Sequence, residues 1–166
     1  GNATPKWLVG WNNSIIWRNL SINLFFYGAF DYDRLNISRF TTASMSGGSR
    51  FITLRDAYFN GWDYVENKSD AKYASVKNTD NKSYANTTFW LEDASFIKLK
   101  NVTISYTIPR HITRFADIQL SVSAQDIFTF TKYKGMDPEV YSSYEGLDYG
   151  AYPIPRTITF GLKLTF

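Results

Sequence analysis

Carboxylates, one histidine and many aromatic rings are the residues of this chain whose types could do chemistry. Asp137 and Glu139 stand two apart in KGMDPEV. A glycosidase pair needs carboxyls held at a fixed separation across a cleft, which neighbours on one loop do not supply. Asp63, Glu66 and Asp70 could offer oxygens to calcium, but they lack the spacing of an EF-hand loop. His111 is the only histidine, and it follows Pro109 and Arg110 with no second ligand or nucleophile spaced to partner it. SGGSR, residues 46–50, lacks the Gly-Lys-Ser/Thr ending of a phosphate loop and reads as flexible loop. Asn2, Asn36, Asn67, Asn81 and Asn86 open N-x-S/T sequons, which a chain rich in Asn, Ser and Thr generates by chance. Cysteine is absent, which excludes disulfide and thiolate-metal frameworks. These residues assemble no catalytic, cofactor or metal constellation, so the chain is not expected to be an enzyme.

The rings are a stronger signal. Aromatic residues make up 18% of the 166 positions. Tyr58, Trp62, Tyr73, Tyr84 and Trp90 fall in or beside one long polar stretch, and Tyr133, Tyr149 and Tyr152 accompany Asp137 in a second. Sugar rings stack on such faces, but loop aromatics more often pack the loop on itself or against a partner. Tyr58, Trp62, Trp90, Tyr133, Asp137, Tyr149 and Tyr152 are the candidate ligand or partner contacts. The formal charge is only +3, with Lys and Arg scattered, so no basic stripe marks a nucleic-acid surface. No run approaches the ~18 apolar residues of a membrane helix.

The elements that must position these groups are strands. Five segments alternate with period two, at about 7–17, 20–30, 96–108, 118–131 and 154–166. Arg18 and Asn19 alone separate the first two, which predicts a tight hairpin. In the third, Val102, Ile104, Tyr106 and Ile108 share a face, whereas before Lys100 the apolar signal moves to Ile97 and Leu99; a bulge, or a change of environment where the strand leaves an apolar zone, would explain the slip. In the fourth, Asp126 falls on the apolar face, where a bulge or a membrane edge is expected. Long connections are expected over about 31–92 and 132–153. Within the first, RFITLRDAYFNGW predicts a short helix with Leu54, Tyr58 and Trp62 on one face.

Alternation by itself fits a soluble β-sandwich, such as a carbohydrate-binding module. Three features favour a membrane barrel. The polar faces carry Asn, Thr, Ser, Gln and Gly rather than Lys and Glu. The strands exceed the ~5–6 residues of an average strand. Short and long connections alternate by end, as in barrels whose strands of ~9–11 residues face lipid. Trp17, Tyr106 and Phe166 gather near the short-turn end, where an aromatic girdle would lie. Five strands cannot close a membrane barrel, and an open edge in lipid leaves backbone groups unpaired. The remainder of the barrel must therefore come from elsewhere, and the start at GNATPKW resembles the middle of a protein.

The stretches WLEDASFIKLKNVTISYTIP, SAQDIFTFTKYKGMDPEV and LDYGAYPIPRTITFGLKLTF resemble the C-terminal end of SusC/RagA-type TonB-dependent outer-membrane transporters. The resemblance covers nearly the whole chain and is weakest between Asp31 and Thr88. It implies the last strands of an all-β, antiparallel transmembrane barrel of about 22 strands, with the plug domain and TonB box outside this chain. It implies import of oligosaccharides or oligopeptides across the outer membrane of a Gram-negative bacterium, with a SusD-like lipoprotein as lid, TonB as energy source and no cofactor. By strand parity, both long loops would be extracellular and both short turns periplasmic. Such proteins end on an assembly signal, whose places Thr159, Gly161, Leu164 and Phe166 fill here. A secreted glycan-processing enzyme is disfavoured by the lack of an acid/base pair.

Overall fold

A computed structural model of the chain describes residues 1–44, 54–75, 87–139 and 146–166. Tyr84, Asn81, Asn86 and SGGSR lie outside the described residues. Two compact units form. One comprises Gly1–Thr4, Tyr32–Ala94 and Tyr133–Tyr152, and the other Pro5–Asp31, Ser95–Lys132 and Pro153–Phe166.

The second unit is a sheet. Its strands are β1 (Trp7–Trp17), β2 (Leu20–Phe30), β5 (Phe96–Ile108), β6 (Asp117–Thr131) and β8 (Thr157–Thr165), in the order β1-β2-β5-β6-β8. Every pairing is antiparallel. Arg18 makes the tight β1–β2 turn at φ +53°. A short helical turn, Arg110–Thr113, joins β5 to β6, and the Asp117 carboxylate accepts the Arg110 N–H at 2.6 Å. β8 starts at Thr157, three residues later than alternation predicts, because Pro153 and Pro155 cannot donate to the ladder.

The register aligns like with like across all five strands. Asn13, Leu24, Val102, Ala124 and Ile158 form one lane, and Ile15, Ile22, Ile104, Val122 and Phe160 the next on the same face. Ser14, Asn23, Thr103, Ser123 and Thr159 form a polar lane on the other face. The slip at Lys100 is a double irregularity. Phe25 and Phe26 of β2 face Asn101 and Leu99, leaving Lys100 extra, while Asp126 and Ile127 together oppose it on β6. Asp126 takes φ +51° there and brings Oδ1 to 3.1 Å from Lys100 Nζ. The bulge turns the odd apolar register of Ile97 and Leu99 into the even register of Val102 to Ile108, so one face stays apolar along the whole strand.

The first unit has a core of its own, contrary to the reading of 31–92 and 132–153 as loop. β3 (Asp33–Asn36) pairs antiparallel with β4 (Leu91–Asp93) and parallel with β7 (Leu147–Asp148). Asn36 caps α1 (Ile37–Ser44): its Oδ1 accepts the Arg39 N–H and the Ser38 hydroxyl, both at 2.9 Å. Asn36 is fully buried, so this sequon cannot be read from solvent. The expected helix is shorter than predicted, α2 (Arg55–Phe59), with Leu54 at its N-cap. Its buried residue is Ala57, whereas Tyr58 and Trp62 point to solvent. Four-residue spacing placed the bulky rings on one face, but in a five-residue helix the small residue fits against the core. That core joins Phe40, Ala43, Ala57, Tyr73 and Trp90, with Leu35 and Leu54 packed on it. Trp90 is its hub, edge-on to Phe40 at 5.6 Å and 6.2 Å from Tyr73.

Candidate functional site

The apolar face of the sheet is exposed, where a sandwich would bury it. Ile104 is 44% exposed, Phe160 78% and Phe166 82%. Trp17 and Tyr106 flank Leu20 in one lane at the short-turn end. The opposite end carries a second aromatic group that alternation did not single out. Trp7 pairs with Phe30 and Trp11 with Phe26, while Phe128 and Phe130 lie against Leu99 and Ile97. Trp11 stacks on Phe26 at 5.4 Å.

Thr159, Gly161, Leu164 and Phe166 lie in or just beyond β8, which is bonded only to β6 among the described residues. Thr159 faces Ser123 in the polar lane, and Leu164 faces Ile118 on the apolar side. Gly161 faces Ser121, whose hydroxyl donates to the Gly161 carbonyl at 3.4 Å. A Cβ on Gly161 would overlap that hydroxyl, so a side chain here would force Ser121 to turn aside and give up the bond.

The candidate contact residues divide by burial. Trp90 is 0% and Tyr133 6% exposed, and Asp137 is also buried; none can present a face to a ligand. All three lie inside the first unit rather than on its surface. The Tyr133 hydroxyl donates to Asp148 Oδ2 at 2.5 Å, and Asp148 Oδ1 accepts the Gly150 N–H at 2.7 Å. Asp137 Oδ1 accepts the Glu139 N–H at 3.0 Å, and the Tyr32 hydroxyl donates to the Pro138 carbonyl at 2.9 Å. A side chain at Gly135 would collide with the Tyr133 ring and the Asp148 carboxylate. KYKGMDPE is thus a motif that folds its own segment. Burial, reinforced by the Asp148 contact, pushes the Tyr133 phenol well above its usual range. Tyr58, Trp62, Tyr149 and Tyr152 remain exposed. Tyr58 lies 4.2 Å from Tyr64 and 5.3 Å from Phe59, and Lys68 Nζ sits 6.0 Å over the Trp62 ring.

A cleft of about 550 Å³ opens in the same unit, lined among others by Arg39, Arg55, Asp56, Tyr73, Lys134 and Met136. A polar network forms its wall. Arg39 donates to Glu92 Oε1 at 2.6 Å and to the Tyr73 hydroxyl at 2.8 Å, and its guanidinium lies 5.7 Å over Trp90. Tyr73 in turn donates to Asp56 Oδ2 at 2.5 Å. Burial opposes the charge on Arg39, but Glu92 and Tyr73 outweigh it and raise its pKa. The Tyr73 hydrogen bond, helped by Asn60, lowers that of Asp56 despite partial desolvation. Burial and the bond to Asp56 raise that of Tyr73. Sequence reasoning missed Arg39, Arg55, Asp56 and Glu92. Arg39, the neighbours Arg55 and Asp56, and Glu92 come from three separate stretches with no shared period, and only the proximity of Glu92 to Trp90 in WLED hinted at a role. Among the described residues no group of acidic or histidine side chains is placed to hold a metal, and Asp63 instead accepts the Ser75 hydroxyl at 2.8 and 2.9 Å.

The fold and the sequence have counterparts in known proteins. TonB-dependent receptor P3 of Formosa agariphila is 30% identical over 178 residues, spanning 100% of this chain and 17% of the receptor. The chain is homologous to part of the SusC/RagA-family TonB-dependent receptors. TonB-dependent receptor SusC of Bacteroides thetaiotaomicron is 26% identical over 63% of this chain and 12% of its own length. No family model matches the chain. The chain therefore spans about 17% of the length of two curated relatives that match it along its whole length. The RagAB peptide importer in its open-open state shares the fold, with a TM-score of 0.77 at 24% identity over 98% of this chain and 17% of that one. The RagAB peptide transporter gives 0.73 at 25% identity over 95% of this chain. TonB-dependent receptors are outer-membrane proteins of Gram-negative bacteria and are not enzymes.

Proposed function

We propose that this chain forms closing strands and two extracellular segments of a TonB-dependent outer-membrane importer. The single observation that carries this reading is the exposed face, apolar except at Asn13 in the lanes traced above, that runs across five strands in a chain homologous to such receptors. Trp7 and Trp17 bound that face on β1. Ten steps of ~3.3 Å separate them by about 33 Å along the strand. A tilt of ~40° reduces this to about 25 Å, the height of the apolar band of an outer-membrane barrel. The polar lanes of Ser, Thr and Asn then line the lumen. The missing strands complete a barrel of about 22, and β8, with Thr159, Gly161, Leu164 and Phe166, supplies both a pairing edge and the assembly signal.

The importer carries oligopeptides or oligosaccharides, with a SusD-like lipoprotein as lid and TonB acting on a plug outside this chain. The likeness to a peptide importer supports the peptide reading. Exposed Tyr58, Trp62, Tyr149 and Tyr152 serve as lid or cargo contacts. The test is quenching of tryptophan fluorescence by brominated lipids in the reconstituted receptor. A receptor keeping only Trp11 of the β1 tryptophans should be quenched by bromines deep in the acyl chains. Quenching by an aqueous agent alone would refute the membrane assignment.

A further inference from the structure

We propose that the cleft bounded by Arg55, Lys134 and Met136 binds a carboxylate group carried on a compact apolar or ring-shaped body. It deepens the importer reading by naming the chemistry of a bound group, and it rests on that reading for the cleft's access to arriving cargo. Arg39, in the polar wall, already has its charge paired with Glu92 and bonds Tyr73 as well. Arg55 and Lys134 are different. Both side chains are exposed, both line the cleft, and neither has a carboxylate partner among the described residues.

Each is nonetheless held in place. The Arg55 guanidinium lies 5.6 Å over the Phe59 ring. The Lys134 backbone N–H donates to Glu92 Oε2 at 2.9 Å, which ties the lysine to the Arg39–Glu92 pair. Asp56 is the opposing charge in the cleft. Its Oδ2 accepts from Tyr73 and its Oδ1 accepts Asn60 Nδ2 at 2.7 Å. Counting Arg39 against Glu92, the cleft keeps one net positive charge, from Arg55 and Lys134 against Asp56. That excess suits a single carboxylate and not a phosphate dianion. Leu54 and Met136 add an apolar floor, which favours a ligand whose body is apolar or a sugar ring. Such a carboxylate occurs at a peptide C-terminus and on a uronic acid.

The test uses the intact receptor in detergent and isothermal titration with four probes: trialanine, its C-terminal amide, trigalacturonate and its methyl ester. At least one free acid should bind about tenfold tighter than its capped partner, the scale of a charge-assisted contact. The double variant Arg55→Gln, Lys134→Gln should abolish that difference while the capped probe is unaffected. Lys132→Gln, an exposed cation of the sheet unit, should leave the difference intact. A difference confined to the peptide or to the uronate arm identifies the source of the carboxylate. Equal affinity of free and capped probes, binding by neither free acid, or a difference that survives the double variant overturns the proposal. The importer reading fails separately, if fractionation finds the wild-type receptor outside the outer membrane.

Discussion

Val102 and Thr103 are adjacent in β5, and their side chains take opposite faces of the sheet. Val102 sits between Leu24 and Ala124, in a lane six residues from Trp7 and four from Trp17 by its β1 member Asn13. That lane falls near the middle of the proposed apolar band. Lysine at the bilayer midplane of a barrel costs about 2–4 kcal/mol. Thr103, between Asn23 and Ser123 on the polar face proposed to line the lumen, should accept lysine at a cost of about 0.5 kcal/mol or less. In water the two substitutions would differ little, because a lysine at half-exposed Val102 could lift its ammonium into solvent. The assay is urea unfolding of the intact receptor in phospholipid vesicles, followed by tryptophan fluorescence, with Val102→Lys and Thr103→Lys against wild type. A Val102→Lys cost within ~0.5 kcal/mol of that of Thr103→Lys would refute a lipid-facing assignment.

Tyr133→Phe leaves Asp148 buried without its phenol donor and should destabilise the first unit by about 1–3 kcal/mol, read as faster proteolysis of the segment around 132–153. The raised Tyr133 pKa makes the stability of that contact complete below the ordinary phenol range of about 10 and progressively lost above it; protection of Gly150 N–H from exchange should decline with alkaline pH in wild type and not in Tyr133→Phe. Gly161→Val should slow barrel assembly because its side chain meets the Ser121 hydroxyl, and Ser121→Gly should restore part of the rate; an unchanged assembly half-time for Gly161→Val would contradict the close-approach argument. Asp126→Val should cost about 1–2 kcal/mol, since a β-branched residue resists φ +51°, whereas Asp126→Gly should lose only the Lys100 ion pair.

The strands were legible because their physics is local. Alternation at period two marks a surface with two different surroundings, and β1, β2 and β5 begin and end where it does. Even the bulge left a trace, as the change of apolar parity at Lys100. The start of β8 was misplaced because Ile154 continues the alternation while its proline neighbours break the ladder. What the alternation could not reveal was which side is wet; the exposure of Phe160 and its lane depends on what the rest of the polypeptide does not cover.

The segments between the strands were opaque for the converse reason. Their core is assembled from Phe40, Ala57, Tyr73 and Trp90, single residues from distant stretches that leave no period to read. Composition identified the rings there, but burial decided their roles, sending Trp90 and Tyr133 inward and leaving Tyr149 and Tyr152 in solvent. Likewise the cleft exists only because α1, α2 and the Lys134 turn meet. By itself the sequence determined the strands, their faces and the kinship, all properties of neighbours along the chain. Tertiary structure alone decided the charged cleft and its scaffold, because those depend on contacts between residues as far apart as Arg39 and Glu92.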